Sequence, residues 1–280
     1  MTSEGQFLKG KVAWVTGGAS GMGRAIALEL AKNGTDVAIG SLLGTSSLTK
    51  KNGELVYQPS EKELIETAKE IESFGVQALA NNLDVTSTKS TEQFYQETLK
   101  KFGKIDILVN AAGVTAEQTV VGHAESLWMK VMDVNANGPF RTTKLCLPGM
   151  IERKWGRIIN IASTAASVGA STSAAYCASK AAVLGLSRCV ALEGAEFGIS
   201  CNTISPSWVE TSFGTNWMTH IAETAEDRSG TEYMDDVRAD NPQKRMIQAR
   251  EIGALALYLC REEALGMTMQ DLTVSAGSLW

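Results

Sequence analysis

Short apolar runs alternate with helix-length amphipathic segments along almost the whole chain. Apolar runs such as 105–110 suit strands that are covered on both faces of a sheet, and the segments between the runs have helical periodicity. Strands that alternate with helices form parallel β-α-β units, so the pattern predicts an α/β fold with a doubly wound parallel sheet and helices on both faces. The predicted strands are 12–16, 37–41, 76–81, 105–110, 157–162, 199–204 and 272–275.

The length of 280 residues fits one domain, and neither a long linker nor a repeat of fixed period divides the chain. We therefore expect a single domain over residues 1–280. Two segments interrupt the alternation: an insertion at 42–60, rich in Gly, Ser, Thr and Lys, and a polar segment at 211–244 that contains aromatic residues. We interpret the second as a substrate loop, because long connections in compact domains are usually functional.

Charge and composition disfavour several partners. A net charge of −5 and a pI near 5.3 disfavour nucleic acid, because the neutralisation of phosphates needs a basic surface. The longest uncharged stretch, 158–179, is too rich in Asn, Ser and Thr for a membrane segment. Five cysteines without a Cys-x-x-Cys pair and two isolated histidines predict reduced thiols, no metal site and a cytoplasmic protein.

A glycine-rich turn at 16–23 follows the first predicted strand and opens a helix. Glycines permit a tight turn and let the backbone approach a pyrophosphate, while the helix N-terminus offers free N–H groups and a partial positive charge. A turn between a strand and a helix is the context that a dinucleotide site requires. We expect five residues of the turn to contact this cofactor: Gly17, Ser20, Gly21, Met22 and Gly23.

The spacing of this turn, TGxxxGxG, resembles that of the short-chain dehydrogenase/reductase family, and further family motifs follow in order over residues 8–278. They include an NAAG segment, a YxxxK motif and a segment similar to PGxxxT, in which Ser207 replaces the expected Gly. The resemblance implies a Rossmann-like sheet of about seven strands and an NAD(P) cofactor. The resemblance, together with the position that discriminates between NAD and NADP (Ser41), predicts further cofactor contacts. They are Ser41, Asp84, Val85, Asn110, Ala111, Ala112, Gly113, Tyr176, Lys180, Pro206, Val209 and Thr211.

Four residues match the catalytic set of the family: Asn135, Ser163, Tyr176 and Lys180. Tyr176 and Lys180 are four residues apart and therefore share one face of a helix. Tyrosine is a poor acid–base near pH 7, and we expect the neighbouring ammonium to lower its pKa. The resemblance implies that Tyr176 moves the proton, Lys180 also binds the nicotinamide ribose, and Ser163 donates to the substrate oxygen. It implies that Asn135, in the helical stretch 124–150 that it can distort, holds a relay water.

The end of the second strand discriminates between NAD and NADP. An acidic residue at this position accepts hydrogen bonds from the adenosine ribose of NAD, but this chain has Ser41 there and no acid beside it. The arginine often found in NADP sites is also missing, and Lys50 and Lys51 are either phosphate ligands or solvated loop residues. The sequence therefore favours NADP(H) only slightly. The insertion also resembles one in relatives similar to carveol dehydrogenase, some of which hold their nicotinamide without exchange, so slow cofactor exchange is a further expectation.

The resemblance places the substrate beside the residues after Ser163 and beside the segment after the sixth strand. Most of these positions are apolar or aromatic, and those after Ser163 include no Arg or Lys that could bind a carboxylate or phosphate. We therefore expect a small-molecule substrate, a neutral and fairly hydrophobic secondary alcohol or ketone. The predicted substrate contacts are Thr164, Ala165, Trp208, Phe213, Trp217 and Met218.

The last two residues, Leu279 and Trp280, are apolar, and burial of a Trp side chain is worth about 3 kcal/mol. The family resemblance places the C-terminal strand at a subunit interface. We expect these two residues to pack there, in a homo-oligomer for which a tetramer is favoured over a dimer.

The motifs together predict an oxidoreductase that transfers a hydride between NAD(P) and an alcohol or ketone. Two alternatives use the same scaffold: a non-redox enzyme, such as a lyase, epimerase or dehalogenase, and a nucleotide-binding regulatory protein without turnover. Dehalogenating relatives lose the glycine turn and replace the lysine, and regulatory relatives typically lose the Tyr or the Lys. This chain retains the turn, Tyr176 and Lys180, which disfavours both alternatives.

Overall fold

The computed structural model describes residues 6–44, 53–225 and 227–278. In chain order, its strands are β1 (Val12–Thr16), β2 (Asp36–Ser41), β3 (Glu54–Leu55), β4 (Ala78–Asn82), β5 (Ile107–Asn110), β6 (Thr115–Ala116), β7 (Gly156–Ile161), β8 (Ile199–Pro206), β9 (Val209–Glu210), β10 (Ile247–Gln248) and β11 (Asp271–Val274). Its α-helices are α1 (Gly21–Lys32), α2 (Glu61–Glu72), α3 (Thr88–Phe102), α4 (Glu125–Met132), α5 (Gly138–Arg153), α6 (Ala174–Gly194), α7 (Ser212–Ala225), α8 (Gly230–Asp240) and α9 (Ala249–Leu259).

Seven strands form one parallel sheet in the order β4-β2-β1-β5-β7-β8-β11. The chain leaves β1 towards β2 on one side and later returns to place β5 on the other side. Thr16, the last residue of β1, therefore pairs with Gly40 of β2 and with Asn110 of β5. The predicted doubly wound sheet is confirmed, and the reversal of strand order beside β1 opens a crevice at the carboxyl ends of the strands.

Each face of the sheet packs against its own layer of helices. Helices α1, α2 and α9 cover one face, where Ile26, Leu64 and Ile252 are buried. Helices α3, α4, α5 and α6 cover the other face, where Phe94 stacks on Trp14 with ring centroids 5.3 Å apart. The five inner strands are buried almost throughout because both faces are covered, whereas the edge strands β4 and β11 are partly exposed, so burial of the inner strands on two faces drives the assembly.

Helix α6 and the short helical turn after it, Ala174–Phe197, are the one part of the described chain long and apolar enough to cross a membrane. Half of the tested window is buried inside the fold, and α6 packs along β8. Such a stretch is also typical of a core helix in a globular protein, and α6 belongs to the helical layer on its face of the sheet.

Three segments differ from the predictions. The stretch 124–150 is not one helix, because a π-helical turn at Asp133–Asn137 separates α4 from α5. The segment 211–244 is not a loop: it forms α7 and α8, and the second begins with a capping box of Ser229 and Glu232. Its polar composition hid a helical repeat whose apolar side, including Met218, is buried. The C-terminal part of the 42–60 insertion forms β3, which pairs antiparallel with β6.

Candidate active site

Two adjoining cavities open at the carboxyl ends of the strands. The first, of about 770 Å³, lies beside the glycine-rich turn, and the second, of about 620 Å³, lies under α7 and α8. Tyr176, in the first turn of α6, lines both cavities, as do Met22, Ala162, Thr211 and Phe213. Tyr176 thus stands where a group bound in one cavity would meet a group bound in the other.

The glycine-rich turn leaves no space for side chains at two positions. Gly17 has a φ of +66°, and a Cβ there would lie 2.9 Å from the backbone N of Ala112. A Cβ on Gly23 would lie 2.3 Å from the carbonyl O of Gly17. No side chain caps the N-terminus of α1 at Ser20, and no acidic residue lies in its first turn. The turn therefore fits the pyrophosphate of a dinucleotide, whose charge the free N–H groups would bind.

The side chain of Ser41 serves the turn itself. Its Oγ accepts a hydrogen bond from Ala19 N at 3.1 Å, and the residue is buried at the end of β2. The next residue, Leu42, also lines the first cavity. No carboxylate therefore follows β2 in the position where one would bind a ribose or repel a 2′-phosphate. Lys50 and Lys51, the cations considered for that phosphate, lie outside the described residues, as do Leu279 and Trp280.

Most of the predicted cofactor residues line the first cavity: Gly17, Ser20, Gly21, Met22, Gly23, Ser41, Asp84, Val85, Ala111, Ala112, Gly113, Tyr176, Lys180 and Thr211. Three do not. Asn110 is buried inside the sheet, where its amide bonds Asn160 and Thr142, so it supports the wall from behind. Pro206 and Val209 line the second cavity instead.

The insertion adds a wall to the first cavity that was not predicted. Residues 56–59 line it, and so do Met129 and Lys130 of α4. Buried Glu54 in β3 forms an ion pair with Lys130, which joins the insertion to α4. We call residues 53–59 the strap, because they cross the cavity between β6 and α2. The run Tyr57-Gln58-Pro59 before a helix was the sequence signal for this wall.

Lys180 and Tyr176 share the buried face of α6. The Lys180 ammonium donates to the carbonyl of Ile161 at 2.8 Å and lies 5.5 Å from the centre of the Tyr176 ring. Burial lowers the pKa of Lys180 from 10.5 to about 8. Burial also raises the pKa of Tyr176 to about 12, while a hydrogen bond with Ser163 acts in the opposite direction.

The expectation that the ammonium lowers the pKa of Tyr176 is therefore wrong for this structure. The ammonium lies beside the ring and bonds a backbone carbonyl, so loss of hydration dominates the tyrosine. At neutral pH the phenol is protonated, and it is ready to donate a proton rather than to accept one.

Asn135 lies in the π-helical turn, as the expected distortion of the 124–150 stretch implied. Its amide donates to Val114 O at 2.8 Å and to Ser179 Oγ at 3.0 Å, and its Oδ1 accepts from Val114 N at 2.9 Å. Both donors and one acceptor site of the amide are thus used, which leaves one acceptor site for a water. Asn135 therefore joins α6 to the segment after β5.

Ser163 follows β7 and begins a short helical turn. Its Oγ accepts from Ala165 N at 3.2 Å and lies 3.5 Å from the carbonyl of Pro206. It lines the second cavity beside Tyr176. The hydroxyl is therefore held at the cavity wall by a backbone donor and keeps its own proton for a weak bond that a substrate oxygen can replace.

Five of the six predicted substrate residues line the second cavity: Thr164, Ala165, Trp208, Phe213 and Trp217. The ring of Trp217 packs edge-to-face against Tyr176 and Trp208, with ring centroids 4.9 Å and 5.1 Å apart, respectively. Met218 was wrongly included, because it points into the core and is fully buried. Because Trp217 and Met218 are neighbours on a helix, their side chains point in different directions, and only one of them faces the cavity. A loop assignment could not predict this difference.

The second cavity also has polar lining residues that were not predicted, above all Glu117 and His220. Glu117 follows β6 and accepts a hydrogen bond from Trp217 Nε1 at 2.6 Å. Its place four residues after Gly113 of the NAAG segment was the available signal, since residues that follow a strand of a parallel sheet reach the crevice.

Comparison with known proteins agrees with this geometry. A family model described as enoyl-(acyl carrier protein) reductase matches residues 17–278. A putative ketoacyl reductase of Streptomyces coelicolor is 35% identical, over 95% of this chain and 96% of that protein. The 3-oxoacyl-[acyl-carrier-protein] reductase of Vibrio cholerae is 34% identical, over 96% and 98%.

Solved structures agree as well. Actinorhodin polyketide ketoreductase with NADPH superimposes with a TM-score of 0.85 at 35% identity, over 95% of this chain and 96% of that one. Xylitol dehydrogenase with bound NAD⁺ gives the same TM-score at 27% identity, over 97% and 100%. The chain belongs to the short-chain dehydrogenase/reductase family and is an NAD(P)-dependent oxidoreductase.

Proposed function

We propose that the protein transfers a hydride between NAD(P) and a neutral, fairly hydrophobic secondary alcohol or ketone, with Tyr176 as the acid–base. The observation that carries this proposal is the position of Tyr176, which lines both the cavity beside the glycine-rich turn and the aromatic cavity under α7. A proton donor at this junction reaches the carbonyl oxygen while the carbonyl carbon faces the first cavity.

The residues around the first cavity fit the dinucleotide. The turn at 17–23 would bind the pyrophosphate, and Lys180 would bind the ribose next to the nicotinamide. The bound nicotinamide supplies or accepts the hydride. The chain itself provides the position of the reactants, a largely apolar substrate cavity and the proton.

In ketone reduction, Tyr176 donates its phenolic proton to the carbonyl oxygen, which becomes strongly basic as the carbon gains the hydride. Ser163 donates a second hydrogen bond to the same oxygen, so charge that develops there meets a fixed donor. The Lys180 ammonium stabilises the phenolate that remains and then passes it a proton, and a water at Asn135 returns a proton to the neutral Lys180. In alcohol oxidation the same proton moves in the opposite direction.

The second cavity supports a substrate with apolar surface. Trp208, Phe213 and Trp217 supply flat apolar walls, and no Lys or Arg lies among its described lining residues. The relatives named as ketoacyl reductases act on carbonyl compounds, in keeping with a ketone as substrate. The non-redox and regulatory alternatives are not favoured, because the turn, Tyr176 and Lys180 are present together and the relatives are reductases.

Replacement of Tyr176 with Phe tests the mechanism. We expect kcat for ketone reduction to fall 10²- to 10⁴-fold, the usual contribution of a general acid, while nucleotide binding persists. The control is Tyr258→Phe, which removes the hydroxyl of a half-exposed tyrosine on α9. A Tyr176→Phe enzyme that binds nucleotide and keeps full turnover would refute the assignment.

For the nucleotide, the slight preference for NADP(H) rests on Ser41, since no carboxylate at this position repels a 2′-phosphate. Titration of the purified protein with NADPH and NADH, followed by nicotinamide fluorescence, tests the preference. We expect NADPH to bind somewhat more tightly. Tighter binding of NADH would reverse the assignment without affecting the proposed chemistry.

Slow exchange of the nucleotide is a separate proposal, and the strap supports it. The strap walls the first cavity, and its ion pair from Glu54 to Lys130 resists opening. We expect Glu54→Gln to speed nucleotide dissociation severalfold in a stopped-flow chase. The control Glu61→Gln removes an exposed charge just beyond the strap. Free exchange in the unmodified protein would contradict the proposal.

Two further expectations concern the oligomeric state and the cellular location of the enzyme. We propose a homo-oligomer, with a tetramer favoured, and a cytoplasmic location. The exposed apolar side chains Phe140 on α5 and Leu192 on α6 support the first. The second rests on cysteines with no disulfide among the described residues, since a reducing compartment keeps thiols free.

A further inference from the structure

Glu117 lines the substrate cavity, although the proposed hydride and proton transfer does not use it. The residue directly follows β6, and its backbone N–H donates to the carbonyl of Gly53 in the strap at 2.8 Å. Its side chain thus starts from a backbone that is fixed on both sides, by the sheet pair β3–β6 and by this bond.

Three neutral donors orient the Glu117 carboxylate. Oε1 accepts from Trp217 Nε1 at 2.6 Å and from Ser173 Oγ at 2.7 Å, and Oε2 accepts from the hydroxyl of Thr172. A carboxylate has about four acceptor sites, so one remains for a ligand. Because all three donors are neutral, they hold the group in place without neutralising its charge.

No lysine or arginine compensates this charge among the described residues of the cavity wall. Among the described residues, the wall contains neither Lys nor Arg, and apart from Tyr176 and Tyr233 its further titratable group is His220. The other lining residues are small, hydroxyl-bearing, aliphatic or aromatic. The cavity therefore presents a single negative charge between aromatic walls.

Trp217 links this charge to the reaction centre. Its ring contacts the ring of Tyr176 at 4.9 Å between centroids, and its indole N–H bonds Glu117. One indole thus separates the carboxylate from the proton donor. Consider a ketone whose carbonyl group is bound at Tyr176. If the other end of this ketone extends past the indole of Trp217, it contacts the carboxylate of Glu117.

We propose that Glu117 is a specificity-determining residue that excludes substrates with an anionic end and favours those whose end is neutral or cationic. The inference rests on the proposed function, because it concerns the part of the ketone that does not react. Two like charges at roughly 7 Å, with an effective dielectric constant of about 20, weaken binding by about tenfold to a hundredfold. A cationic end also gains from the faces of Trp208 and Trp217.

Three aromatic ketones of similar shape test the proposal: 4-acetylbenzamide, 4-acetylbenzoate and 4-acetylbenzyl-trimethylammonium. Their affinities for the full-length protein are measured by calorimetry, and their reduction is measured separately with NADPH and with NADH. We expect the benzoate to bind at least tenfold more weakly than the benzamide, and the ammonium compound to bind at least as tightly as the benzamide.

Glu117→Gln removes the charge and keeps the shape, and the hydroxyl of Thr172 can rotate to accept from the new amide. We expect this variant to narrow the difference between benzamide and benzoate to within about threefold. The matched control is Glu223→Gln, which removes an exposed carboxylate from α7, the helix that carries Trp217, and leaves the difference as in the unmodified protein.

The inference is overturned if the unmodified protein binds the benzoate as well as the benzamide, if it binds none of the three, or if Glu117→Gln preserves the discrimination. Binding that is selective for charge, without reduction of any probe by either nucleotide, refutes the proposed function instead and leaves the role of Glu117 standing. The two failures are therefore separate results of one experiment.

Discussion

Lys180 shows that a functional residue can be held at a cost to stability. Burial lowers its pKa from 10.5 to about 8, which corresponds to about 3 kcal/mol of destabilisation of the charged form. Its bond to the Ile161 carbonyl returns about 1–2 kcal/mol. We therefore expect Lys180→Met to abolish turnover and yet to be more stable than the unmodified protein by about 1–2 kcal/mol at pH 7.

This stability gain has a defined pH dependence. Between pH 8 and 10.5 the unfolded chain holds a proton on Lys180 that the folded chain has released, so the stability of the unmodified protein rises with pH through this window. Below pH 8 the cost is fully present. The advantage of Lys180→Met should shrink between pH 7 and pH 10 in urea unfolding, and a constant difference would contradict the assignment.

The same lowered pKa predicts a pH profile for catalysis. When Tyr176 donates its proton, the phenolate that remains needs the Lys180 ammonium, which is lost above pH 8. We expect log kcat/KM for ketone reduction to be flat below pH 8 and to fall with a slope near −1 above it, because kcat/KM reports groups of the free enzyme. Tyr176, with a pKa of about 12, stays protonated throughout. A profile that is flat to pH 10 would exclude Lys180 from this role.

At the residue scale, motif spacing predicted which side chains surround the turn and Tyr176. Burial determines which side chains face the cavities and in which direction their pKa values shift, and spacing does not give it. Asn110 and Met218 occupy plausible positions in the sequence, and both point into the core. Glu117 belongs to no motif, and only the placement of α7 reveals that it bonds Trp217. The direction of the pKa shift at Tyr176 was also missed, because spacing gives proximity to a charge and not the extent of desolvation.

At the scale of elements, the glycine-rich turn depends on backbone contact. A Cβ on Gly23 would lie 2.3 Å from Gly17 O; the backbone of residue 23 fixes the Cβ and Gly17 O is itself a backbone atom, so neither can move aside cheaply. We expect Gly23→Ala to lower the free energy of unfolding by about 1–3 kcal/mol, as overpacking does, and to abolish binding of NADPH and NADH in the fluorescence titration.

The matched control is Gly185→Ala, in the exposed side of α6. A Cβ there meets no atom within 4 Å, so the helix should gain about 1 kcal/mol from the better helix former. Nucleotide binding should be unchanged. A Gly23→Ala protein that binds nucleotide normally would show that the turn opens without loss and is not the pyrophosphate site.

The elements themselves were predictable where one pattern dominated. Every strand of the main sheet was located from a short, mostly apolar run, and the polar residues inside these strands, such as Asn160 and Asn202, are buried and hydrogen-bonded. A distortion at Asn135 was expected, but its form as a π-helical turn at Asp133–Asn137 was not, because Asn135 bonds Val114 and Ser179, which are far away in sequence. The pairing of β3 with β6 was not predicted because it joins residues that are far apart in sequence, and α7 was not predicted because its polar composition obscured the helical repeat.

At the scale of the whole molecule, the order of the strands explains why one tyrosine serves two cavities. The crevice beside β1 receives the dinucleotide, and α6, which packs beside it, carries Tyr176 and Lys180. Helices α7 and α8 then close the far side of the substrate cavity. The glycine turn, the catalytic helix and the substrate wall come from distant parts of the chain, so the site exists only when the complete sheet has formed.

The outer surface makes its own prediction about assembly. Leu192 on α6 and Phe140 on α5 are large apolar side chains that are 70% and 52% exposed, and both helices cover the same face of the sheet. Association of two or more copies of the chain would remove this apolar surface from water. We expect light scattering to give a mass that is a multiple of 29.9 kDa, with four copies favoured.

Leu192→Asp should lower that mass, whereas Ile65→Asp, on α2 of the opposite layer, should not. A monomeric unmodified protein would contradict the prediction, and an effect of Ile65→Asp alone would move the interface to the other face.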